Sequence, residues 1–288
     1  MHEKKPEKRA TPRGNTAGPL AAVIIAVYNK SDFLEKVLVS LGNQSFREFE
    51  AVIADDGSGA EVGELAKNAG AGFLFPIRHV WHEHKGFRKT VIVNRAVAAT
   101  DAAYLIFIDG DSILHHRFVE SHYTHRKNRI ILSGRRVRLD RELSERLTLE
   151  DVRRMRLEKR SFWWNHCRQS DRKHGFFIPG LYFWENLLRT HYSLLGCNFS
   201  LHRSDYYSVN GYDERIIGRG MEDCNLNSRL KLRRCKIKTL TRQAVQYHLF
   251  HEFDPVPHCP EAIKRYCWPE TYWTPFGIRK RTEPDCSE

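Results

Sequence analysis

Two carboxylates separated by one glycine, Asp109-Gly110-Asp111, close the apolar run 104–108. Carboxylates at i and i+2 suit a hard divalent cation such as Mg2+ or Mn2+, which takes oxygen ligands and leaves room for substrate phosphates. The glycine lets the chain turn so that both carboxylates face one side. Taken alone, an Asp-Gly step is also an ordinary turn. A second acidic pair, Asp55-Asp56, ends an earlier apolar run and is followed by Gly57-Ser58-Gly59. A third pair, Glu222-Asp223, stands before Leu226, Arg229 and Leu230 at the start of a helical pattern. Carboxylates at a helix start complement the helix dipole, and from there they can also point into a crevice. His248 and His251 offer nitrogen ligands to a metal. With Cys259 and Cys267 downstream they also suggest zinc, but no CxxC accompanies them.

For these groups to meet, the elements carrying them must end at one place. Residues 21–28 form a continuous β-prone run of the kind found in strands buried on both faces. Ser31 can cap a helix carrying Phe33, Leu34, Val37, Leu38 and Leu41, with Gly42 near its end. A second strand is predicted over 49–54, a helix over 61–68, another opened by Gly86, and a third strand over 103–108. Such alternation indicates a parallel α/β sheet, whose ligands bind at the carboxyl ends of the strands. Those ends carry Tyr28-Asn29, Asp55-Asp56 and Asp109-Gly110-Asp111, so acidic groups from separate strands converge on one crevice. Neither GxGxxG after the first strand nor GxxxxGK[ST] anywhere is present. A nucleotidyltransferase making a sugar nucleotide would need a Gly-rich basic signature where Tyr28-Asn29-Lys30 stands.

The chain of 288 residues is 41% hydrophobic and 11% aromatic, which excludes disorder throughout. Its net charge of +12 calls for an anionic partner. The excess lies in a basic tail over 1–18, in 135–174 with 13 Lys or Arg against 7 acids, and in 224–242 with seven Lys or Arg and no acid. The middle segment reads as a helical insertion packed on the sheet, with the aromatic cluster Phe162-Trp163-Trp164. The last reads either as a solvated helix face or as a contact for a phosphorylated acceptor. With Trp163 and Trp164 it could also meet an anionic inner membrane leaflet. A non-enzymatic basic module for nucleic acid or membrane is the contrasting reading, but no nucleic-acid-binding signature is present. No apolar run reaches the roughly 20 residues of a membrane span. The basic start resembles a signal peptide without a cleavage site. The seven scattered cysteines suit a reducing cytoplasm, so a cytoplasmic chain is expected, with peripheral membrane contact open.

The segments 23–29, Ala54-Asp55-Asp56-Gly57-Ser58 and Phe107-Ile108-Asp109-Gly110-Asp111 resemble, in order and interval, the nucleotide-binding half of family 2 glycosyltransferases with the GT-A fold. Gly211-Tyr212-Asp213-Glu214 followed by Gly220-Met221-Glu222-Asp223 is similar to the acceptor motif of β-1,4-galactosyltransferases. The resemblance covers roughly 20–252. It implies a Rossmann-like nucleotide-binding half merged with an acceptor half in one continuous mixed sheet: 19–134 for the donor, 135–192 inserted, 193–253 for the acceptor, and 254–288 as a tail. It implies a metal-dependent (Mn2+ or Mg2+), inverting transfer from a UDP-sugar to a hydroxyl of a bacterial surface glycan or glycolipid of lipopolysaccharide type. By the same resemblance Asp56 bonds the uracil, Tyr28 lies beside it, and Phe87, Lys89 and Asn94 belong to the donor-side helix. Arg88 and Arg95 of that helix either approach the nucleotide or face solvent. Asp109 and Asp111 bind the metal with His248 or, second, His251. Asp109 also approaches the ribose, Gly196 and Asn198 touch the donor sugar, Asp223 is the base, and Glu222 binds acceptor. Cys197 stands where the family has a small residue.

Overall fold

The computed structural model describes residues 18–165, 175–188, 193–252 and 265–280. The expected basic tail, apart from Gly18, lies outside the described residues, as do Cys167, Cys259 and Cys286. Strand β1 (Ala21–Val27) leads to helix α1 (Ser31–Gly42), β2 (Phe49–Asp55), α2 (Ala60–Gly72), β3 (Ile77–Trp81), α3 (Lys89–Ala98) and β4 (Tyr104–Asp109). β1 pairs in parallel with both β2 and β4, and β2 with β3. Val23, Ile25 and Val27 of β1 pack with Leu34, Val37 and Leu38 of α1 on one face. Ala22 and Ile24 pack with Ile92, Val93 and Ala96 of α3 on the other. A central strand covered on both sides explains the unbroken apolar run.

The chain continues through β5 (Ser112–Leu114), α4 (Phe118–Thr124), β6 (Ile130–Ser133), β7 (Arg135–Arg138), α5 (Arg141–Arg146), α6 (Leu149–Arg153), a 3-10 turn at Arg156–Glu158, α7 (Arg160–Asn165) and α8 (Leu181–Leu188). It ends with β8 (Asn198–His202), α9 (Arg203–Ser208), α10 (Glu222–Leu232), β9 (Lys236–Thr239) and β10 (Val245–His248). Seven strands form a mixed sheet in the order β3-β2-β1-β4-β8-β6-β9, and β5-β10-β7 form a second, small sheet. β8 runs antiparallel to β4 and β6.

Four expectations are corrected. A strand, β3, lies between α2 and α3 where none is predicted. It is the sheet edge, so the exposed Arg78 and His79 are tolerated there, and Arg78 Nε binds Glu50 Oε2 at 2.6 Å. The insertion does not begin helical: residues 135–138 are β7, parallel to β10. Its described helices are short, and α6 is fixed by a capping box between Thr148 and Asp151. Trp163 is no membrane anchor. It is buried against Tyr247, with its indole N–H donating to the carbonyl of Leu157 at 2.6 Å. The side chain of Trp164 lies outside the described residues. Finally, 224–242 is not simply a solvated face. Arg229 is buried, donating to Asn225 Oδ1 and to the carbonyls of Val209 and Gly211 at 2.6–2.7 Å. Among the described residues no helix is long and apolar enough to cross a membrane.

Candidate active site

The carboxyl ends of β1, β2 and β4 open into a crevice of about 550 Å³, closed on its far side by the start of α10 and by β10. On the β1–β2 side, Asn29 and Lys30 adopt left-handed backbone, turning the chain away from the sheet. The Asn29 N–H donates to Ser58 Oγ at 2.7 Å, which ties that turn to the one after β2. Gly57 has φ +90°, and a Cβ there would lie 2.4 Å from the His84 nitrogen, so the glycine is required. The Asp56 carboxylate accepts the Arg88 N–H at 2.8 Å and lies 2.6 Å from His82 Nε2. Tyr28, half exposed, stacks on His84 with centroids 4.4 Å apart and planes 16° from parallel. Phe87 lies beside this platform under the guanidinium of Arg219.

At the end of β4, the Gly110 N–H donates to the carbonyl of Ala26 at 2.8 Å, turning the chain so that its two flanking aspartates reach different partners. Asp109 pairs with Lys89 Nζ at 2.7 Å. Asp111 Oδ2 is 3.1 Å from His251 Nε2 and 3.5 Å from His248 Nε2, because the Leu249 N–H bonds the Asp111 carbonyl and folds the 248–251 segment back over it. Ligand atoms of Asp111, His248 and His251 all lie within 4.8 Å of one another, which fits a small cation with nitrogen and oxygen donors. Burial works to raise the Asp111 pKa, but the two imidazoles outweigh it and hold the carboxyl at about 2. Burial lowers the His248 pKa, with the Asp111 carboxylate opposing the shift.

Glu222 and Asp223 open α10. The Gly220 N–H donates to Glu222 Oε2 at 2.6 Å, and the Tyr212 hydroxyl donates to Asp223 Oδ1 at 3.0 Å. A Cβ on Gly196 would lie 1.9 Å from Asp223 Oδ2, so any side chain there would displace that carboxylate. Burial raises both pKa values. Repulsion from Asp223 adds to the rise at Glu222, while Lys89 opposes it at each. Burial also works to lower Lys89, yet the carboxylates of Asp109, Asp223 and Glu222 prevail and keep it protonated. Lys89 thus electrostatically links the strand-end aspartates to the α10 pair.

Of the residues expected at the site, Tyr28, Asp56, Phe87, Lys89, Asp109, Asp111, Gly196, Glu222, Asp223 and His248 line this crevice. Asn94 and Asn198 do not, and their assignment to the donor is corrected. Asn94 donates to the Tyr212 carbonyl and Glu214 Oε1 and accepts from the Tyr206 hydroxyl and Tyr212 N–H, which uses its whole amide to hold the turn before α10. Asn198 donates to the carbonyls of Arg135 and Ala244 and meets His122 Nε2 at 3.1 Å. Asp109 stands outside the metal-competent cluster, which takes both histidines instead. Arg88 contributes through its N–H, and Arg95 is exposed away from the crevice. Arg136, Arg219 and Leu195 also line the crevice; Arg219 and Leu195 adjoin segments already singled out, Gly220–Asp223 and Gly196–Asn198, whereas nothing in the sequence neighbourhood of Arg136 marks it.

The glycosyl transferase family 2 model matches residues 22–183, and that of the N-terminal domain of galactosyltransferase matches residues 185–252. Validoxylamine A glucosyltransferase of Streptomyces hygroscopicus subsp. jinggangensis is 26% identical over 235 residues, covering 74% of this chain and 51% of that protein. The chain therefore spans about half the length of that relative and of its counterpart from S. hygroscopicus subsp. limoneus. Among solved structures, S. aureus TarS in complex with UDP-GlcNAc superposes with a TM-score of 0.51 at 15% identity, covering 85% of this chain and 64% of that one. Mannosyltransferase PcManGT from Pyrobaculum calidifontis, in complex with GDP-Man and Mn2+, gives 0.54 at 13% identity, covering 82% and 59%. These likenesses show the GT-A fold.

Proposed function

Because the chain belongs to glycosyl transferase family 2, we propose that it moves a hexose or N-acetylhexosamine from a UDP-sugar to an acceptor hydroxyl, with inversion and with a divalent ion. The observation that carries this reading is the half-buried Asp223 carboxylate against Gly196, in the same crevice as the Asp111–His248–His251 cluster. The complexes of TarS with UDP and UDP-GlcNAc support a uridine donor. The Tyr28–His84 stack offers a flat face to the base, and Asp56 an acceptor for its N–H.

Asp111, His248 and His251 would hold Mn2+ or Mg2+, whose charge neutralises the departing diphosphate as a Lewis acid. Asp109, held by Lys89, faces the ribose. Asp223 takes the proton of the acceptor hydroxyl as that oxygen attacks the anomeric carbon. Its raised pKa makes it a stronger base than an ordinary aspartate. Glu222, anchored by the Gly220 N–H, orients the acceptor. One base and one displacement give inversion. The acceptor is a bacterial surface glycan or glycolipid, reached from the cytoplasm, with the basic exterior rather than Trp163 meeting an anionic membrane face.

The test is a panel of UDP- and GDP-sugars screened for Mn2+-dependent nucleotide release. Release from a UDP-sugar that disappears in Asp111→Ala supports the reading. Full activity in that variant removes the metal assignment, and release confined to GDP-sugars removes the uridine donor.

A further inference from the structure

Arg136 reaches the crevice from β7. Its register partner on β10 is Gln246, two residues before His248. Gln246 and His248 therefore project to the same side of the strand. Arg136 Nη1 lies 3.6 Å from Cys197 Sγ, and Gln246 Nε2 lies 3.4 Å from the same sulfur. Cys197 follows Gly196, the residue pressed against Asp223. The guanidinium thus lines the same crevice as the carboxylate proposed as base and the Asp111–His248–His251 cluster, and its charge acts on His248.

Among the described residues no carboxylate pairs with Arg136, although the crevice is rich in them. Each of those acids has another partner: Asp109 has Lys89, Asp111 the two histidines, Asp56 the Arg88 N–H, and Glu222 the Gly220 N–H. The Cys197 thiol, pushed up to about 12 by burial, is neutral and cannot balance the guanidinium. A half-buried guanidinium with five donors and one sulfur contact is a receptor for an anion. Its planar fork matches two phosphate oxygens.

We propose that Arg136 binds the diphosphate of the donor and stabilises it as it leaves, an assignment that rests on the glycosyl-transfer reading above. The bond from the anomeric carbon to the β-phosphate oxygen breaks with its electron pair going to that oxygen. The acceptor oxygen forms the new bond to the anomeric carbon and its proton passes to Asp223. Arg136 meets the charge that develops on the β-phosphate. This makes it a catalytic residue contributed by a strand in a basic stretch that otherwise faces outward.

Calorimetric titration of UDP and UMP into wild type, Arg136→Met and Arg136→Lys, with Mn2+ and again in EDTA, tests this. UMP lacks the β-phosphate and is the internal control. In Arg136→Met, UDP affinity is expected to fall about tenfold or more while UMP affinity stays within about twofold, with Arg136→Lys in between. Equal losses for UDP and UMP, or no loss for UDP, overturn the assignment. Unchanged UDP binding with weakened binding of a UDP-hexuronic acid also overturns it, moving Arg136 to a carboxylate on the transferred sugar. Wild type that binds neither nucleotide fails the uridine-donor reading itself, a result distinct from any difference between variants.

Discussion

The two walls of the crevice are built differently. On the β1–β2 side the carboxylates are held by hydrogen bonds: Asp56 is met by a backbone N–H and a buried imidazole, and Asp55 by the Ser58 N–H and His79. Left-handed turns at Asn29, Lys30 and Gly57 fix where each stands. The opposite wall crowds ionisable groups against one another. Glu222 adjoins Asp223, Asp111 faces two imidazoles, and Lys89 sits among carboxylates from both β4 and α10. Charges held together away from water interact strongly and shift one another's proton affinities, which is the condition under which acid–base chemistry is done. A wall of groups fixed by hydrogen bonds suits recognition of a fixed shape, and a crowded one suits reaction.

If that division holds, Asp223→Asn should separate the two walls most sharply. Transfer is expected to fall by about 10²–10⁴-fold, the usual worth of a general base, with UDP affinity unchanged by calorimetry. Unchanged turnover would remove Asp223 as the base. Removing a cluster member should act on the metal instead. His248→Ala and His251→Ala are each expected to weaken Mn2+ binding by at least the roughly tenfold that even outer-shell changes cause. A Mn2+ titration that is altered by one histidine and not the other would reduce the cluster to two ligands. On the β1–β2 side, Gly57→Ala forces a side chain into left-handed backbone and against the His84 nitrogen. It should lower stability by about 1–3 kcal/mol by thermal denaturation and weaken UDP binding, while leaving Mn2+ affinity intact. Equal weakening of UDP and Mn2+ would show that the walls are not independent.

The walls also differ in how far the sequence discloses them. β1, β2 and β4 are central strands whose continuous apolar runs announce both their existence and the place where they end, so Tyr28, Asp56 and Asp109-Gly110-Asp111 were legible. β3 was not, because an edge strand tolerates Arg78 and His79 and breaks the apolar run. β7 buries only Val137 of its four residues, so Arg135-Arg136-Val137-Arg138 reads as a charged stretch. Asn94 and Asn198 illustrate a different limit. A polar residue in an apolar pattern is either a ligand-binding group or a saturated structural one, and only the partners of its amide decide. His248 and His251 illustrate a third limit, because the fold-back after β10 brings both to Asp111. That depends on one long-range backbone hydrogen bond which residue spacing does not encode.

The smallest expected effect bears on the proton itself. Burial raises the Asp223 carboxyl above the usual aspartate range, with Lys89 and the Tyr212 hydroxyl opposing the rise. As pH falls, Asp223 therefore takes up a proton sooner than a free aspartate would, and the acid limb of the pH–rate profile should lie above the ordinary aspartate range. The Tyr212 hydroxyl donates to the carboxylate at 3.0 Å and so favours its ionised form. In Tyr212→Phe that donor is lost, the protonated form gains, and the limb should move to higher pH. The rate on the alkaline plateau, where Asp223 is ionised with or without the phenol, should change by less than about tenfold. A limb that stays in place, or moves to lower pH, would mean that the group titrating in the reaction is not Asp223 and that the crowded wall owes its activity to another of its acids.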